Sequence, residues 1–280
     1  MKTKFKVFIA SFLIMTVFLA VIPRSENEIR NIETLRAYAS NVKDILFIGH
    51  RGFVSAAPEN TVPSYIMAGR EKFWGGETDI NTTKDGKWIV LHDNKIDRMT
   101  NGTGKIKDLT LKEIRKYHIK CGRNLKLYGK LKIPTFEEYL KTCRDTGIAP
   151  VIEFKPDCDI TKVNAAVDII KHYDMVKKCI CISFRLPVLK EIRKNDKDIK
   201  LQWLIGSELD ENHLRNASQL GPHAGIDINQ KYLSEAMIRK CHEKNLEVNC
   251  WTVNDKKMAS KYADWGVDYI TSDKISTLKK

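Results

Sequence analysis

The sequence predicts an α/β protein, specifically an eight-stranded parallel (β/α)8 TIM barrel, and three observations support this fold class. The chain has 280 residues, and one barrel of this kind typically needs about 250. From residue 44 onward, short apolar runs alternate with amphipathic stretches, which is typical of parallel sheets. Charged residues and histidines collect at the ends of the predicted strands, where barrel enzymes place their active sites.

Nine apolar runs qualify as strands, one more than the barrel needs. They cover residues 45–50, 76–80, 88–92, 150–154, 179–184, 201–205, 225–229, 248–253 and 269–271. Asp85-Gly86 is a tight-turn dipeptide between the second and third runs. We therefore interpret residues 88–92 as the return arm of a hairpin on the second barrel strand, which leaves eight. A doubly wound open sheet is the alternative, but no glycine-rich nucleotide motif follows the first strand.

Helix candidates lie between the strands, and one long stretch interrupts the alternation. The candidates cover residues 61–73, 135–146, 160–173, 187–195, 234–244 and 256–265. Residues 94–132 contain the turn sequence Asn101-Gly102-Thr103-Gly104 and a lysine-rich helix candidate. We interpret this stretch as a small insertion after the second strand, over the top of the barrel, where loops select substrates.

Residues 1–24 predict a signal peptide or a membrane anchor, in the form of an N-terminal hydrophobic helix. Three lysines within the first six residues precede an apolar run over residues 7–22, as in export signals. Sixteen helical residues span about 24 Å, less than a bilayer core of about 30 Å, which favours a cleaved signal. No small-x-small cleavage site follows directly, which favours a retained anchor. The sequence therefore predicts export, either anchored at the extracellular face or secreted, with a linker over 25–43 and the barrel domain over 44–280.

The net charge and the cysteines restrict the partners. A formal net charge of +13 attracts anionic partners, among which nucleic acid, anionic lipid, cell-wall phosphate and small phosphate esters all fit. No basic stripe interleaved with aromatic residues occurs, so we predict no nucleic-acid partner. The seven cysteines include no C-x-x-C pair, and most of them are predicted to be small buried hydrophobes. An odd number in an exported protein would leave at least one free thiol.

Charged residues two positions apart predict a metal site. Glu77 and Asp79 share one face of the second strand, and Glu153 and Lys155 share one face of the strand after the insertion. If both faces point inward, three carboxylates converge, and their repulsion favours a bound cation. Oxygen ligands suit Ca²⁺ or Mg²⁺, so the sequence predicts one divalent cation of either kind. The alternative is that each acid is a solvated strand-end residue.

Two histidines and three other side chains complete the predicted site. His50 and His92 end strand candidates beside the acids and are suited to proton transfer near neutral pH, although either could instead bind zinc. Arg51 suits bidentate binding of phosphate, and Lys155 could place a second charge on a developing oxyanion. Trp251 offers an apolar wall for an alcohol or head group, or it simply packs the barrel.

Short motifs occur in a characteristic order between about residues 45 and 274. They are Gly49-His50-Arg51-Gly52, Pro58-Glu59-Asn60-Thr61, Glu77-Thr78-Asp79, Leu91-His92-Asp93, Glu153-Phe154-Lys155, Trp251-Thr252-Val253-Asn254 and Thr271-Ser272-Asp273. In this order, the sequence resembles the glycerophosphodiester phosphodiesterase family. Each tripeptide alone is a weak signal, whereas the ordered set is specific.

The resemblance implies a TIM barrel and a site with assigned roles. It implies that the three carboxylates hold the cation with Asn60 nearby, that the two histidines form an acid–base pair, and that Arg51 and Lys155 bind the phosphate. The implied reaction is hydrolysis of a small glycerophosphodiester to glycerol 3-phosphate and an alcohol. Three other functions remain open: a lysophospholipase D-like enzyme, a cell-wall glycerophosphate-polymer phosphodiesterase, and a non-catalytic phosphate- or polyol-binding surface protein. Membrane association would run through residues 7–22, and the sequence predicts no oligomeric state.

Overall fold

A computed structural model describes residues 45–278. The hydrophobic segment at residues 7–22 and the whole linker over 25–43 lie outside the described residues, so the exported location stays a prediction. Within residues 45–278, no helix combines the length and apolar character needed to cross a membrane.

Eight parallel strands close into a barrel, which confirms the predicted fold class. The strands in chain order are β1 (Leu46–Gly49), β2 (Gly75–Thr82), β3 (Trp88–Val90), β4 (Ala149–Phe154), β5 (Ile180–Ser183), β6 (Lys200–Ile205), β7 (Ala224–Asn229), β8 (Glu247–Trp251) and β9 (Tyr269–Ser272). All but β3 form the barrel wall. β1 pairs with both β2 and β9 in parallel, and this double pairing closes the ring.

The hairpin after the second strand is confirmed. β3 pairs antiparallel with the end of β2, with Ile80 opposite Val90 and Thr82 opposite Trp88. The preceding turn contains Gly86 with a positive φ of 71°. β2 has eight residues, so its first part pairs with the neighbouring barrel strands and its end pairs with β3. The ninth strand therefore lies outside the closed ring.

Helices follow the strands around the outside of the barrel. Their bounds are α1 (Val62–Arg70), α2 (Leu111–Ile114), α3 (Phe136–Thr146), α4 (Val163–His172), α5 (Leu186–Asn195), α6 (Glu211–Ser218), α7 (Glu235–Glu243) and α8 (Lys256–Asp264). The six predicted helices are present. α6 was not predicted, because Leu214 and Ala217 are its only two buried residues and the rest of its sequence is polar.

Three apolar clusters hold the described part together. The largest lies between the barrel wall and the surrounding helices. A smaller one fills the barrel interior with Ile48, Val151, Ile180, Ile182, Leu204 and Tyr269. The third, which we call the insertion core, joins β3 to the insertion through Ile89, Leu91, Ile96, Met99, Ile106, Ile114, Ile119 and Ile133. The insertion therefore has its own buried apolar core.

The insertion at residues 94–132 reaches the loop that follows β1. The Asn124 amide and the Tyr128 hydroxyl both donate to the carbonyl oxygen of Ala56, over 3.0 and 3.1 Å. Farther along the same loop, Arg98 donates to Glu59 over 2.7 Å. The predicted lysine-rich helix is only the four residues of α2. The insertion thus contacts the carboxyl-end side of the barrel, as predicted.

The seven cysteines are all free thiols, and six of them are buried. Cys179 and Cys181 lie in the apolar cluster between wall and helices, which confirms their prediction as small hydrophobes. Cys121 in the insertion is exposed.

Gly52, in the turn after β1, is expected to tolerate no side chain. Its φ is +79°, and an added Cβ would lie 2.3 Å from Ser64 Oγ and 2.8 Å from the Ser64 backbone carbon. A backbone atom cannot rotate away, so strain and overpacking add. We expect Gly52→Ala to lower the free energy of unfolding by about 2–5 kcal/mol, measured by urea denaturation. Gly147→Ala is the matched control, because Gly147 has φ +77° and nothing within 4 Å; equal losses in both variants would contradict the packing argument.

Candidate active site

A cavity of about 220 Å³ lies at the carboxyl ends of the barrel strands and brings the predicted site residues together. Eight of the nine predicted residues line it: His50, Arg51, Glu77, Asp79, His92, Glu153, Lys155 and Trp251. The other lining residues are Ile182, Phe184, Leu204, Asp227 and Thr271. The ninth predicted residue, Asn60, lies directly behind Asp79.

Three buried carboxylates converge at the centre of this cavity. Glu77 and Asp79 come from β2, and Glu153 comes from β4 with its backbone in register with Asp79. One oxygen of each lies within 4.8 Å of the other two. Burial, followed by the charge of Asp79, raises the pKa of Glu77 to about 8 and that of Glu153 to about 7. The acids of the cluster therefore repel one another, and Lys155, which pairs with Asp79 and Glu153, relieves this repulsion only in part.

This cluster fits a hard divalent cation. Buried carboxylates are stabilised by a cation that their oxygens can share, and oxygen ligands are the set that Ca²⁺ and Mg²⁺ prefer. Glu153 Oε1 is buried and makes no hydrogen bond, although Lys155 Nζ forms an ion pair with it at 2.8 Å. This carboxylate oxygen therefore has a lone pair left with which it can coordinate a metal ion. The residues are compatible with either cation.

Asn60 fixes the orientation of Asp79. Its side-chain amide donates to Asp79 Oδ2 over 2.7 Å, and its carbonyl oxygen accepts from the hydroxyls of Tyr65 and Thr78 over 2.9 and 3.2 Å. Asn60 has a positive φ of 53°, a conformation that asparagine tolerates better than most residues. The side chain is therefore a rigid support next to the acidic cluster.

The two predicted phosphate-binding residues lie against the acids. Lys155 Nζ lies 3.2 Å from Asp79 Oδ1. Burial lowers the pKa of Lys155, but Asp79 and Glu153 together raise it above its ordinary value. Arg51 Nε lies 3.6 Å from Asp79 Oδ2, and its Nη1 pairs with Glu59 at 2.9 Å. Both basic side chains line the cavity, and both carry N–H groups that can donate to a phosphate.

Each site histidine is oriented by one aspartate. His50 Nδ1 lies 2.8 Å from Asp273 Oδ1, and His92 Nδ1 lies 2.8 Å from Asp93 Oδ1. Both pairs leave Nε2 as the ring nitrogen available for proton transfer. Asn254 donates to the second oxygen of Asp273 over 2.6 Å and holds it in place. Both rings are thus oriented through Nδ1, His50 by a residue distant in sequence and His92 by the next residue in the chain.

The pKa values of the two histidines move in opposite directions. Burial lowers the pKa of His50, but the bond to Asp273 and the charge of Glu77 raise it above its ordinary value. Burial lowers the pKa of His92 below its ordinary value, against the opposing charges of Asp79 and Asp93. Paired groups with divergent pKa values are suited to complementary acid and base roles.

Glu59 connects the site to the insertion, a role that the sequence did not suggest. It accepts from Arg51 over 2.9 Å and from Arg98 over 2.7 Å. Arg98 also donates to Asp93, the partner of His92, over 2.6 Å. Glu59 and Asp93 belong to the motifs Pro58-Glu59-Asn60-Thr61 and Leu91-His92-Asp93, which was the available signal.

One side of the cavity is apolar. Trp251 packs edge-on against Phe184 with ring centroids 5.9 Å apart, and Ile182 and Leu204 continue this wall. Phe184 remains 39% exposed, so it lies at the mouth. Trp251 therefore does line the cavity, as predicted, with Phe184 as an unpredicted neighbour.

Asp227 is the other functional candidate that the sequence analysis missed. It lies on β7 and lines the cavity while being only 1% exposed. The signal was available in the sequence Gly225-Ile226-Asp227-Ile228-Asn229, where the apolar residues alternate with an acid. In a barrel strand this alternation places the acid inside.

Comparisons with known proteins agree on one family. A profile of the "Glycerophosphoryl diester phosphodiesterase family" matches residues 50–277. A glycerophosphodiester phosphodiesterase of Caldanaerobacter subterraneus is 30% identical over 240 residues, which cover 83% of this chain and 96% of that protein. Human glycerophosphodiester phosphodiesterase 1 is 26% identical, over 81% of this chain and 78% of its own. A phosphodiesterase of Oleispira antarctica, solved with the product sn-glycerol-3-phosphate, superposes with a TM-score of 0.75 at 25% identity, over 85% of this chain and 95% of its own.

Proposed function

Because this chain belongs to the glycerophosphoryl diester phosphodiesterase family and is thus a phosphoric diester hydrolase, we propose that it cleaves glycerophosphodiesters by acid–base catalysis at His50 and His92 with a divalent cation. The observation that carries the proposal is the convergence of three buried carboxylates and two aspartate-oriented histidines in one cavity. The products would be glycerol 3-phosphate and an alcohol. The cation would be Ca²⁺ or Mg²⁺, held by Glu77, Asp79 and Glu153.

The chain's own residues account for the binding of the phosphodiester. A phosphate in the cavity would meet the guanidinium of Arg51 and the ammonium of Lys155, which supply charge-assisted hydrogen bonds. When bound, the cation polarises a phosphoryl oxygen and neutralises developing charge. Both basic side chains are already paired with carboxylates, so little reorganisation is needed to present them.

The two histidines account for the proton transfers. One ring takes the proton of the attacking oxygen through Nε2, and the other donates a proton to the oxygen of the departing alcohol as the phosphorus–oxygen bond breaks. Asp273 and Asp93 keep each ring in the orientation and tautomer that leaves Nε2 free, as carboxylates do for catalytic histidines in general. Trp251 and Phe184 would contact the apolar parts of the substrate.

The substrate class can be tested with the full chain purified in detergent. We expect it to release glycerol 3-phosphate, together with choline, ethanolamine or glycerol, from glycerophosphocholine, glycerophosphoethanolamine and glycerophosphoglycerol in the presence of Ca²⁺ or Mg²⁺. Release of phosphocholine instead of choline would place the cut on the wrong side of the phosphate and contradict the proposal. Faster hydrolysis of lysophosphatidylcholine or of a glycerophosphate polymer would favour those alternatives. Failure to hydrolyse any phosphodiester would favour a binding protein.

A further inference from the structure

Asp227 has a carboxyl group that the proposed reaction does not use. Its neighbours Ile226 and Ile228 belong to the apolar cluster outside the barrel wall, so the side chain of Asp227 lies inside. It lines the catalytic cavity but is not a member of the compact group formed by Glu77, Asp79 and Glu153. It therefore lies in the same cavity as the three converging carboxylates without being one of them.

The carboxyl is buried without a full set of partners. Asp227 Oδ1 is buried and forms no hydrogen bond within the described chain, which is uncommon for a buried polar atom. Burial, with the charge of Glu153 added, raises the pKa of Asp227 well above its ordinary value. A buried carboxyl oxygen without a partner can accept a hydrogen bond from a ligand hydroxyl.

The rest of the cavity restricts what this ligand group can be. The cationic side chains that suit a phosphate lie with the acidic cluster, because Arg51 follows β1, Lys155 follows β4, and the acids lie on β2 and β4. Asp227 lies on β7. Ile182 and Leu204 line the cavity as well, and their apolar surface suits carbon atoms. A molecule with a phosphate at one end, a short carbon chain and a hydroxyl would match these three parts of the cavity. The phosphate would meet the basic side chains, the carbon chain would meet Ile182 and Leu204, and the hydroxyl would meet Asp227.

We propose that the Asp227 carboxyl binds a hydroxyl of the glycerol moiety and selects a polyol phosphate over an alkyl phosphate. The proposal rests on the proposed function and specifies its substrate side. A substrate without that hydroxyl would leave a buried carboxyl unpaired, and sites built to bind a hydroxyl strongly reject analogues that lack it. Asp227 is thus a specificity-determining residue rather than part of the proton-transfer machinery.

Direct binding of two ligands to the full chain tests this selection. Glycerol 3-phosphate and propyl phosphate carry the same phosphate, but propyl phosphate has no hydroxyl. By calorimetry with Ca²⁺ or Mg²⁺ present, we expect the wild type to bind glycerol 3-phosphate about 10- to 100-fold more tightly. Asp227→Leu should bring the ratio to about one, with the affinity for propyl phosphate unchanged. Asp227→Asn, which retains hydrogen bonding, should keep part of the preference.

Gln202→Leu is the matched control. Gln202 is equally buried on β6, and both of its side-chain polar atoms lack hydrogen bonds, but it does not line the cavity. It should therefore leave the ratio unchanged. Because each leucine removes an unpartnered buried polar group, neither variant should melt below the wild type, which excludes misfolding as the cause.

The outcomes separate this inference from the proposed function. A wild-type ratio near one, or an Asp227→Leu variant that weakens both ligands equally, would overturn the role of Asp227 even if glycerophosphocholine is hydrolysed. Conversely, an Asp227-dependent ratio in a chain that hydrolyses no phosphodiester would support the polyol site while removing the catalytic proposal.

Discussion

Replacing either His50 or His92 by alanine is expected to lower kcat for glycerophosphocholine by about 10²- to 10⁴-fold, the range of a lost general acid or base. Each ring lines the cavity and is held by an aspartate through Nδ1, so each variant loses one proton transfer. The loss should appear in kcat at saturating substrate and cation. The double variant should be little worse than the weaker single variant, because groups that act as a unit are not additive.

His172→Ala is the matched control for these variants. His172 lies at the end of α4 and is exposed, far in the fold from the carboxyl ends of the strands. It should retain wild-type kcat. An alanine variant of His50 or His92 that keeps more than a tenth of the wild-type kcat would exclude that ring from proton transfer.

Glu77→Gln is expected to remove most of the cation dependence and most of the activity. The amide keeps an oxygen that can accept the Arg51 backbone N–H, now bound over 2.7 Å, so the turn after β1 should persist. One of three charged ligands is lost, however, and the affinity for the cation falls. In the wild type, a chelator should abolish activity and excess Ca²⁺ or Mg²⁺ should restore it.

Thermal unfolding gives a second measurement that does not depend on turnover. A cation at 100 times its Kd stabilises the wild type by about 2.7 kcal/mol, so its Tm should rise on addition. The rise should be much smaller in Glu77→Gln, which has lost one of the three carboxylates proposed to hold the cation. Glu243→Gln, an exposed site on α7, should respond like the wild type. Undiminished activity in chelator would contradict the metal mechanism. So would a Glu77→Gln variant whose Tm rises with the cation as much as that of the wild type.

Local patterns in the sequence were sufficient for most of the fold. Alternation of apolar runs predicted the barrel strands, and Asp85-Gly86 predicted the hairpin, because both depend on residues close in sequence. α6 was not predicted because only Leu214 and Ala217 of its eight residues are apolar. The two-residue spacing of Glu77 and Asp79 correctly placed both acids on one inward face.

Long-range contacts were harder to predict. Asp273 orients His50 from 223 residues away, a contact that exists only because β9 closes the barrel against β1. The hydrogen bonds that join Arg51, Glu59 and Arg98 likewise depend on where the insertion packs against the barrel. Asp227 was a different case, because its strand was predicted and the alternation Ile226-Asp227-Ile228 already places the acid on the inward face.

The insertion core has a consequence for how such an enzyme can change. Its eight buried residues pack with one another and with β3, separately from the clusters inside and around the barrel. Most of the segment could therefore be exchanged for another of similar size without repacking the ring of strands, provided that Arg98 keeps its bonds to Glu59 and Asp93. A change in this segment could then alter which substrates bind while the catalytic residues stay in place. This makes the segment a suitable site for grafting the corresponding loop of another enzyme.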